Sequence, residues 1–375
     1  MKRWIKNSLL SIGCLGLLSF VIAFSTNWSN KTTISSVGSS GVKPFVEELS
    51  KKYLQEHKDL DITVDAGGSG FGIEQVAKGY TDIGNASKDP YNTIVNQRKD
   101  DLGVLWENNQ IKTYTVAWEG ICLIYVPPKS IDESINLDTI LDINENNIAR
   151  LYQAFSGIAE GDYANAKPKL SDFIADQSLK DKFDVNITPY VRTGGSMTSG
   201  TADAFYTDSR LNFNDSQLSD KTKKAFEEGS YGNGWKIYQT DEANSRAWDM
   251  FEKSNTPGSV VYLSSGFVQE NKDLIEKKGY GIFSYNGVPF FQDDQSKLNE
   301  GYNWCRPLNL MCSIEEKNEV DFILWLLDLD ASEWKNIGGA ALSEKQKDSM
   351  GNLTTDFDIK LKQQGNTWFG AKYGN

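Results

Sequence analysis

Three segments rich in glycine and serine each lie between a predicted strand and a predicted helix. They are Gly38 to Gly41, Gly67 to Gly72 and Gly194 to Thr201. A helix N-terminus presents unpaired N–H groups and about half a positive charge, glycine lets an anion approach that backbone, and serine or threonine adds a hydroxyl donor. Arg192 adds a guanidinium group just before the third segment. The sequence therefore predicts an anion site built from dipoles, hydroxyl groups and one arginine.

The residue types exclude most catalytic and metal sites. The chain has one histidine, His57, which lies in a polar run and is interpreted as a solvated surface residue. Ser69 is followed directly by a glycine, so it does not fit the Gly-x-Ser-x-Gly pattern of a hydrolase, and no Gly-Lys-Ser/Thr follows any of the loops. We therefore predict a protein that is not an enzyme and that has no metal and no cofactor.

The cysteines match neither a zinc pattern nor a redox pair. Cys122, Cys305 and Cys312 are predicted to be free thiols, with a bond between the last two as the alternative. Cys14 lies in the N-terminal apolar run, and we interpret it as one of the small apolar residues of that run rather than as a lipid attachment site.

Length and charge set further limits on the class of protein. The chain has 375 residues, 39% of them hydrophobic and 24% charged, which suits two globular domains. Its formal net charge is −12 and its pI about 4.8, so binding along a nucleic-acid backbone is excluded. Because the bulk charge does not attract anions, an anionic ligand requires a local site.

The N-terminal segment, residues 1–31, predicts an export signal or a membrane anchor. Lys2, Arg3 and Lys6 precede an apolar run from Ser8 to about Phe24. A small-x-small site at Ala23 to Ser25 makes removal of the segment one alternative and retention as an anchor the other. In both cases the body of the protein is expected outside the cytoplasm, on the cell surface.

The body alternates strands, glycine turns and helices, which is typical of an α/β domain with a mainly parallel sheet. Two β-rich runs, Tyr114 to Val126 and Gly258 to Gly266, are interpreted as paired crossings between two lobes. The apolar spacing of Val320 to Leu329 predicts a core helix. Core or inter-lobe packing is likewise the prediction for four tryptophans: Trp118, Trp304, Trp325 and Trp334.

Seven segments together resemble the phosphate-binding proteins of bacterial phosphate ABC transporters, in the periplasmic-type binding-protein family. They are Val37 to Gly41, Gly67 to Ile73, Thr81 to Ser87, Trp118 to Ile121, Ser199 to Phe205, Pro257 to Tyr262, and Arg306 to Leu308. The resemblance implies two mainly parallel sheets flanked by helices, in two lobes that close on phosphate. Lobe one is expected at 32–120 plus 263–375, and lobe two at 121–262.

The resemblance also implies a function and a ligand set. It implies a monomeric receptor that delivers inorganic phosphate to the membrane permease of an ABC transporter. Carried over by position, the expected ligands are Ser39, Ser40, Gly41, Ser69, Gly70, Ser87, Arg192, Ser196, Ser199, Gly200 and Thr201.

Two departures from the family pattern affect the site. The family usually runs Arg-x-x-Gly-Ser-Gly-Thr, whereas six residues separate Arg192 from Ser199 here, so Ser196 can replace Ser199. Ser87 and Gly194 stand where relatives carry aspartate, which predicts weaker discrimination against sulfate. The neighbouring carboxylates Asp89, Asp203 and Glu119 are not at matched positions, and Glu119 either caps a hinge strand or approaches the cleft.

Other functions stay open as alternatives. In the binding class, the ligand could instead be sulfate, molybdate or a phosphorylated metabolite. A secreted phosphoesterase and an adhesin without a ligand are the alternatives from other classes.

Overall fold

The structure is a computed structural model, and it describes residues 31–342 with gaps. The residues within that range that it does not describe are 89, 91–93, 95–97, 132–134, 175, 193–203, 207–216, 241–242, 292–298, 300 and 303. The predicted export segment therefore lies outside the described residues. So do four predicted ligands, namely Ser196, Ser199, Gly200 and Thr201, and the two carboxylates Asp89 and Asp203.

The described residues form an alternation of strands and helices. The strands are β1 (Thr32–Gly38), β2 (Leu60–Ala66), β3 (Ile83–Ala86), β4 (Ile111–Tyr125), β5 (Asp142–Ile143), β6 (Thr188–Arg192), β7 (Tyr238–Thr240), β8 (Ser259–Ser264), β9 (Gly281–Ile282), β10 (Ser284–Tyr285), β11 (Cys305–Ser313) and β12 (Gly339–Ala341). The α-helices are α1 (Lys43–Glu56), α2 (Ser69–Ala77), α3 (Val104–Asn108), α4 (Ile148–Ser156), α5 (Asp220–Glu227), α6 (Asn244–Ser254), α7 (Ser265–Glu270), α8 (Lys272–Lys277), α9 (Lys317–Asp328) and α10 (Ala331–Asn336). Short segments of other helix types are Lys99–Gly103, Leu137–Thr139, Gly161–Tyr163, Leu170–Phe173 and Gln177–Phe183.

One continuous sheet runs through the described residues in the order β2-β1-β3-β11-β4-β8-β6-β7. The strands β2, β1 and β3 are parallel, as are β8, β6 and β7, whereas β11 and β4 run antiparallel to their neighbours. We call β2-β1-β3-β11 with residues 111–120 of β4 the first half-sheet. Residues 121–125 of β4 with β8, β6 and β7 are the second half-sheet. The predicted α/β class is confirmed, with β4 shared by both halves.

The strand β4 is the crossing that the sequence predicted. Its first part pairs with β11, from Ile111↔Ser313 to Gly120↔Cys305, and its last part pairs with β8, from Ile121↔Ser264 to Tyr125↔Val260. All of its 15 residues are buried, as expected for a strand covered on both faces. The expected lobe boundary at residue 120 falls where the partner changes.

The division into lobes, including the boundary at residue 120, stays a prediction. The expected return to lobe one at residue 263 falls within β8. The next strands, β9 and β10, pair with β4 at Ile124 and Tyr125 and with β5. The chain therefore keeps its contacts with the second half-sheet for about 20 residues after the expected boundary.

Parallel pairing brings the ends of three strands to one edge of the first half-sheet. Gly38 of β1 lies opposite Ala66 of β2 on one side and Asn85 of β3 on the other. Since ligands of open α/β sheets bind outside the carboxyl ends of parallel strands, this is the edge where a site is expected. The loops that follow β1, β2 and β3 are thereby held next to each other.

The predicted packing roles are confirmed for the main apolar elements. Helix α1 buries Phe45, Val46, Leu49 and Tyr53, and helix α9 buries Phe322, Ile323, Leu326 and Leu327. Trp118, Trp304 and Trp334 are buried, and Trp325 packs against Tyr53. In the described residues no helix is both long and apolar enough to cross a bilayer.

The predicted free thiols are also confirmed. Cys122, Cys305 and Cys312 are buried and unbonded. Cys305 and Cys312 lie at opposite ends of the same strand, β11, so their Cα atoms are roughly 23 Å apart at about 3.3 Å per residue. That separation is far beyond the reach of a disulfide.

Substitution of Gly38 by alanine is expected to lower the free energy of unfolding by about 3 kcal/mol. Gly38 has φ +149°, and a Cβ there would lie 2.0 Å from the carbonyl oxygen of Asn85. Urea unfolding measures the loss. The matched control is Gly79→Ala, where φ is +69° but nothing lies within 4 Å, so backbone strain alone should cost about 1 kcal/mol. Equal losses at the two positions would contradict the crowding at Gly38.

Candidate functional site

Three buried serine hydroxyl groups meet at the edge formed by β1, β2 and β3. The Oγ of Ser39 lies 2.7 Å from the Oγ of Ser87, which lies 3.4 Å from the Oγ of Ser69. The Ser69 hydroxyl oxygen also accepts the backbone N–H of Ser87 at 3.1 Å. The three side chains come from three separate loops, and the sheet register brings them into one serine cluster.

The serine cluster lies at the N-termini of two helices. Neither α1 nor α2 has a side-chain N-cap, and neither has an acidic residue in its first turn. Helix α2 begins at Ser69, after Gly68 with φ +90°, whereas the sequence predicted a helix only from about Ile73. The early start places the Ser69 side chain in the first turn of the helix, where uncapped N–H groups attract anions.

The other predicted residues of the first two loops lie beside the cluster. Gly41 is buried, and its N–H donates to the Oγ of Ser39 at 3.2 Å. Ser40 and Gly70 are half-buried. The described residues of the first half-sheet that were predicted as ligands are therefore close together in space, and their role as ligands stays a prediction.

Arg192 ends β6 in the second half-sheet and is 1% exposed. Its Nη1 donates to the Oδ1 of Asn244 at 2.7 Å, and its backbone N–H donates to the hydroxyl of Tyr262 at 3.0 Å. Asn244 in turn donates through Nδ2 to the Oγ of Ser264 at 2.7 Å. A polar network therefore fixes the guanidinium of Arg192 at the carboxyl ends of β6 and β8.

Glu119 and Arg306 form a buried ion pair between β4 and β11. They are opposite each other in the strand register, and both side chains are 0% exposed. The Oε1 of Glu119 accepts from Nε of Arg306 at 2.6 Å and lies 2.5 Å from its Nη2. Burial raises the pKa of the Glu119 carboxyl, while the charges of Arg306 and Arg192 oppose the rise.

The ion pair lies against the first loop. A Cβ on Gly41 would lie 2.1 Å from Nη2 of Arg306 and 2.5 Å from Oε1 of Glu119. Glycine is required here because any side chain would collide with this ion pair. This requirement is separate from the space that an anion would need. Glu119, for which the sequence left two roles open, is thus at the crossing and next to the site.

A surface groove borders the first loop at Ser40. It runs between α1 on one wall and the N-terminus of α6 with α7 on the other, and Asn244 is also among its lining residues. Its volume is about 800 Å³, within the range of small-molecule sites. The groove therefore connects the first loop with the residue that holds Arg192.

Asn244, Ser264 and Arg306 were not predicted as site residues. The sequence did contain a signal for one of them. The serine-glycine segment from Ser264 to Gly266 joins strand β8 to helix α7, as the three predicted loops join a strand to a helix. Arg306 lies in the Arg306 to Leu308 segment that carries the family resemblance, but it was not predicted as a ligand. Nothing in the sequence around Asn244 indicates its contact with Arg192.

The polar groups that meet at this edge are hydroxyl and backbone N–H groups. The serine hydroxyls bond to one another and to backbone N–H groups. His57 lies at the C-terminal end of α1, the end away from the cluster, and stacks on Tyr53 with ring centroids 3.9 Å apart. Among the described residues no group of three or more His, Cys, Asp or Glu side chains could hold a metal ion. Hydroxyl and N–H donors, which suit an oxyanion, meet at the serine cluster, and the guanidinium of Arg192 lies at the end of β6.

Comparisons with known proteins identify the family. Residues 25–308 match the family model of the PBP superfamily domain. An uncharacterized lipoprotein of Mycoplasma genitalium is 31% identical over 358 residues, which are 90% of this chain and 90% of that protein. The phosphate-binding protein PstS of Staphylococcus epidermidis is 22% identical over 221 residues, or 54% of this chain and 66% of that protein.

A solved structure shares the fold. It is that of a candidate phosphate ABC transporter substrate-binding protein of Clostridium perfringens with bound phosphate, with a TM-score of 0.51 and 16% identity. The match covers 83% of this chain and 100% of that one. By the family match over residues 25–308, this chain belongs to the PBP superfamily, and its relatives and structural neighbours include phosphate-binding proteins of ABC transporters.

Proposed function

We propose that this protein is a receptor for inorganic phosphate that delivers its ligand to the permease of an ABC transporter. The observation that carries the proposal is the serine cluster of Ser39, Ser69 and Ser87 at two uncapped helix N-termini. Phosphate presents four oxygens that accept hydrogen bonds, and hydroxyl and N–H donors can surround them without countercharge. Arg192, from the other half-sheet, supplies the cationic contact.

The location of the two donor sets supports a receptor that closes around its ligand. The serine cluster belongs to the first half-sheet and Arg192 to the second, and β4 connects them. A ligand that touches both sets is held only when the two sides are together, as in hinge closure of binding proteins. We propose residues 32–120 with 263–375 as one lobe and 121–262 as the other, with β9 and β10 as a return of the chain to the second lobe after residue 263.

The protein is proposed to act outside the cytoplasm, as a monomeric body attached to or exported through the membrane. The basic and apolar residues 1–31 support export, and the relative from Mycoplasma genitalium is a lipoprotein. A receptor of this kind performs no chemistry on its ligand. Turnover of a chromogenic phosphate ester by the pure protein would therefore contradict the proposal.

Calorimetric titration of the purified full-length chain, dialysed free of phosphate, tests the function. We expect saturable binding of phosphate and weaker binding of sulfate and molybdate. Ser87→Ala removes one neutral donor of the cluster and should weaken phosphate binding about five- to tenfold. The control is Ser230→Ala, an exposed serine, which should leave the dissociation constant unchanged. Absence of binding, or tighter binding of sulfate or molybdate, would overturn the assignment to phosphate.

A further inference from the structure

The guanidinium of Arg306 offers more hydrogen-bond donors than its partner takes. Both Nε and Nη2 are directed at one carboxylate oxygen, Oε1 of Glu119. Within the described part of the chain, Nη1 of Arg306 has no hydrogen-bond partner, and Nη2 has only its ion-pair contact with that oxygen. A pair that served only to join β4 and β11 would be expected to use both oxygens in a fork, which satisfies both groups.

An unsatisfied charged donor in the protein interior requires an explanation. The side chain of Arg306 is 0% exposed. Buried polar groups nearly always have a partner, and leaving a charged one without hydrogen bonds is costly. The observation therefore indicates that the Nη1 group has a partner that is not part of the described chain.

The position of Arg306 indicates what that partner is. Its Nη2 lies against Gly41, whose N–H donates to Ser39, and Ser39 contacts Ser87. Arg306 is thus a neighbour of the serine cluster. Its partner Glu119 is also within electrostatic reach of Arg192.

We infer that Arg306 is a second guanidinium ligand, whose Nη1 donates to an oxygen of the bound tetrahedral oxyanion. The inference rests on the proposed function. The oxyanion is then held between two arginines, Arg306 of the first half-sheet and Arg192 of the second. Glu119 is a positioning residue, because it holds Nε and Nη2 of Arg306 and leaves Nη1 directed away from the pair.

Titration of Arg306→Gln with inorganic phosphate and with sulfate tests this assignment. We expect the affinity for each anion to fall about 30-fold, as for loss of a charge-assisted hydrogen bond. The matched control is Arg150→Gln, which removes an exposed arginine paired with Asp162 and should change neither affinity by more than twofold. Arg306→Gln that is folded and binds both anions within threefold of wild type would overturn the inference.

A double variant separates direct contact from an indirect effect of charge. In Arg306→Gln the Glu119 carboxylate loses its counter-ion and could itself repel the anion. Glu119→Gln/Arg306→Gln removes both charges. If Arg306 binds the anion directly, the double variant stays weak, whereas recovery to within threefold of wild type would mean that Arg306 only neutralises Glu119.

Arginine-specific ¹⁵N labelling gives a test on the wild-type side chain, even if Arg306→Gln fails to fold. The full chain has seven arginines, so its guanidinium spectrum is simple. The Arg306 signals can be assigned by elimination, with the other arginines changed to lysine one at a time. Saturation with phosphate should shift the Arg306 and Arg192 signals and leave that of Arg150 in place. Binding with an unmoved Arg306 signal overturns the inference alone, and absence of binding by wild type overturns the proposed function as well.

Discussion

Replacement of Glu119 by leucine is expected to lower the free energy of unfolding by about 3–5 kcal/mol. The substitution leaves the guanidinium of Arg306 buried in the sheet without its counter-charge. The free-energy cost of desolvating a buried ion is offset only by its partner. Removal of one member therefore lowers the free energy of unfolding by more than the pair contributes to it. Urea unfolding in the absence of anions measures the loss.

The double variant Glu119→Leu/Arg306→Met is the control for this prediction. It replaces the pair by apolar side chains of similar size, and such replacements of buried ion pairs are close to neutral. We expect it to recover most of the stability while its anion binding is weaker than that of wild type. A double variant as unstable as Glu119→Leu alone would show that the loss comes from poor packing of leucine and not from the unpaired charge.

Substitution of Arg192 by alanine is expected to raise the dissociation constant for phosphate by about 100-fold. A charge-assisted hydrogen bond in a desolvated site contributes about 1.5–3 kcal/mol, and each 1.4 kcal/mol is a factor of ten in affinity. Arg192 is buried, and Asn244 fixes one end of its guanidinium, so the side chain is already ordered before it meets the ligand. Phosphate calorimetry on the folded variant measures the change.

Arg192→Lys should also bind weakly, since an ammonium cannot satisfy Asn244 and the anion with the planar geometry of a guanidinium. The control is Arg98→Ala, which removes an exposed arginine bound to Asp101. That variant should bind as the wild type does. Phosphate binding by Arg192→Ala within twofold of wild type would show that Arg192 is not a ligand.

The parts of the site that local sequence determines could be predicted. Ser39, Ser69 and Ser87 each follow a strand, and the carboxyl ends of parallel strands must share one edge of a sheet. Their convergence therefore follows once β1, β2 and β3 are recognised as parallel neighbours. The start of α2 at Ser69 was not predicted, because a run of glycines indicates a turn. The structure shows that the helix begins directly after Gly68, which has a positive φ.

The partners across the fold could not be predicted in this way. Glu119 and Arg306 are 187 residues apart in the chain, and Arg192 and Asn244 are 52 apart. Each contact depends on the register of a strand pair or on the packing of a helix. The residues next to it in the sequence determine neither. The pairing of β4 with β11 brings Glu119 and Arg306 opposite each other.

The shared strand β4 also sets the order in which the chain can fold as it emerges N-terminus first. Residues 111–120 of β4 can pair with β11 only after residues 305–313 have been synthesised. The first half-sheet therefore lacks this strand while nearly 200 residues are added to the chain. The pairings of residues 121–125 with β8 and β9 are complete by residue 282. Contacts that are distant in the chain form slowly because loop closure costs entropy. As the chain is made, the pairings of β4 with β8 and β9 can therefore form before those of β11 with β3 and β4, which complete the middle of the sheet.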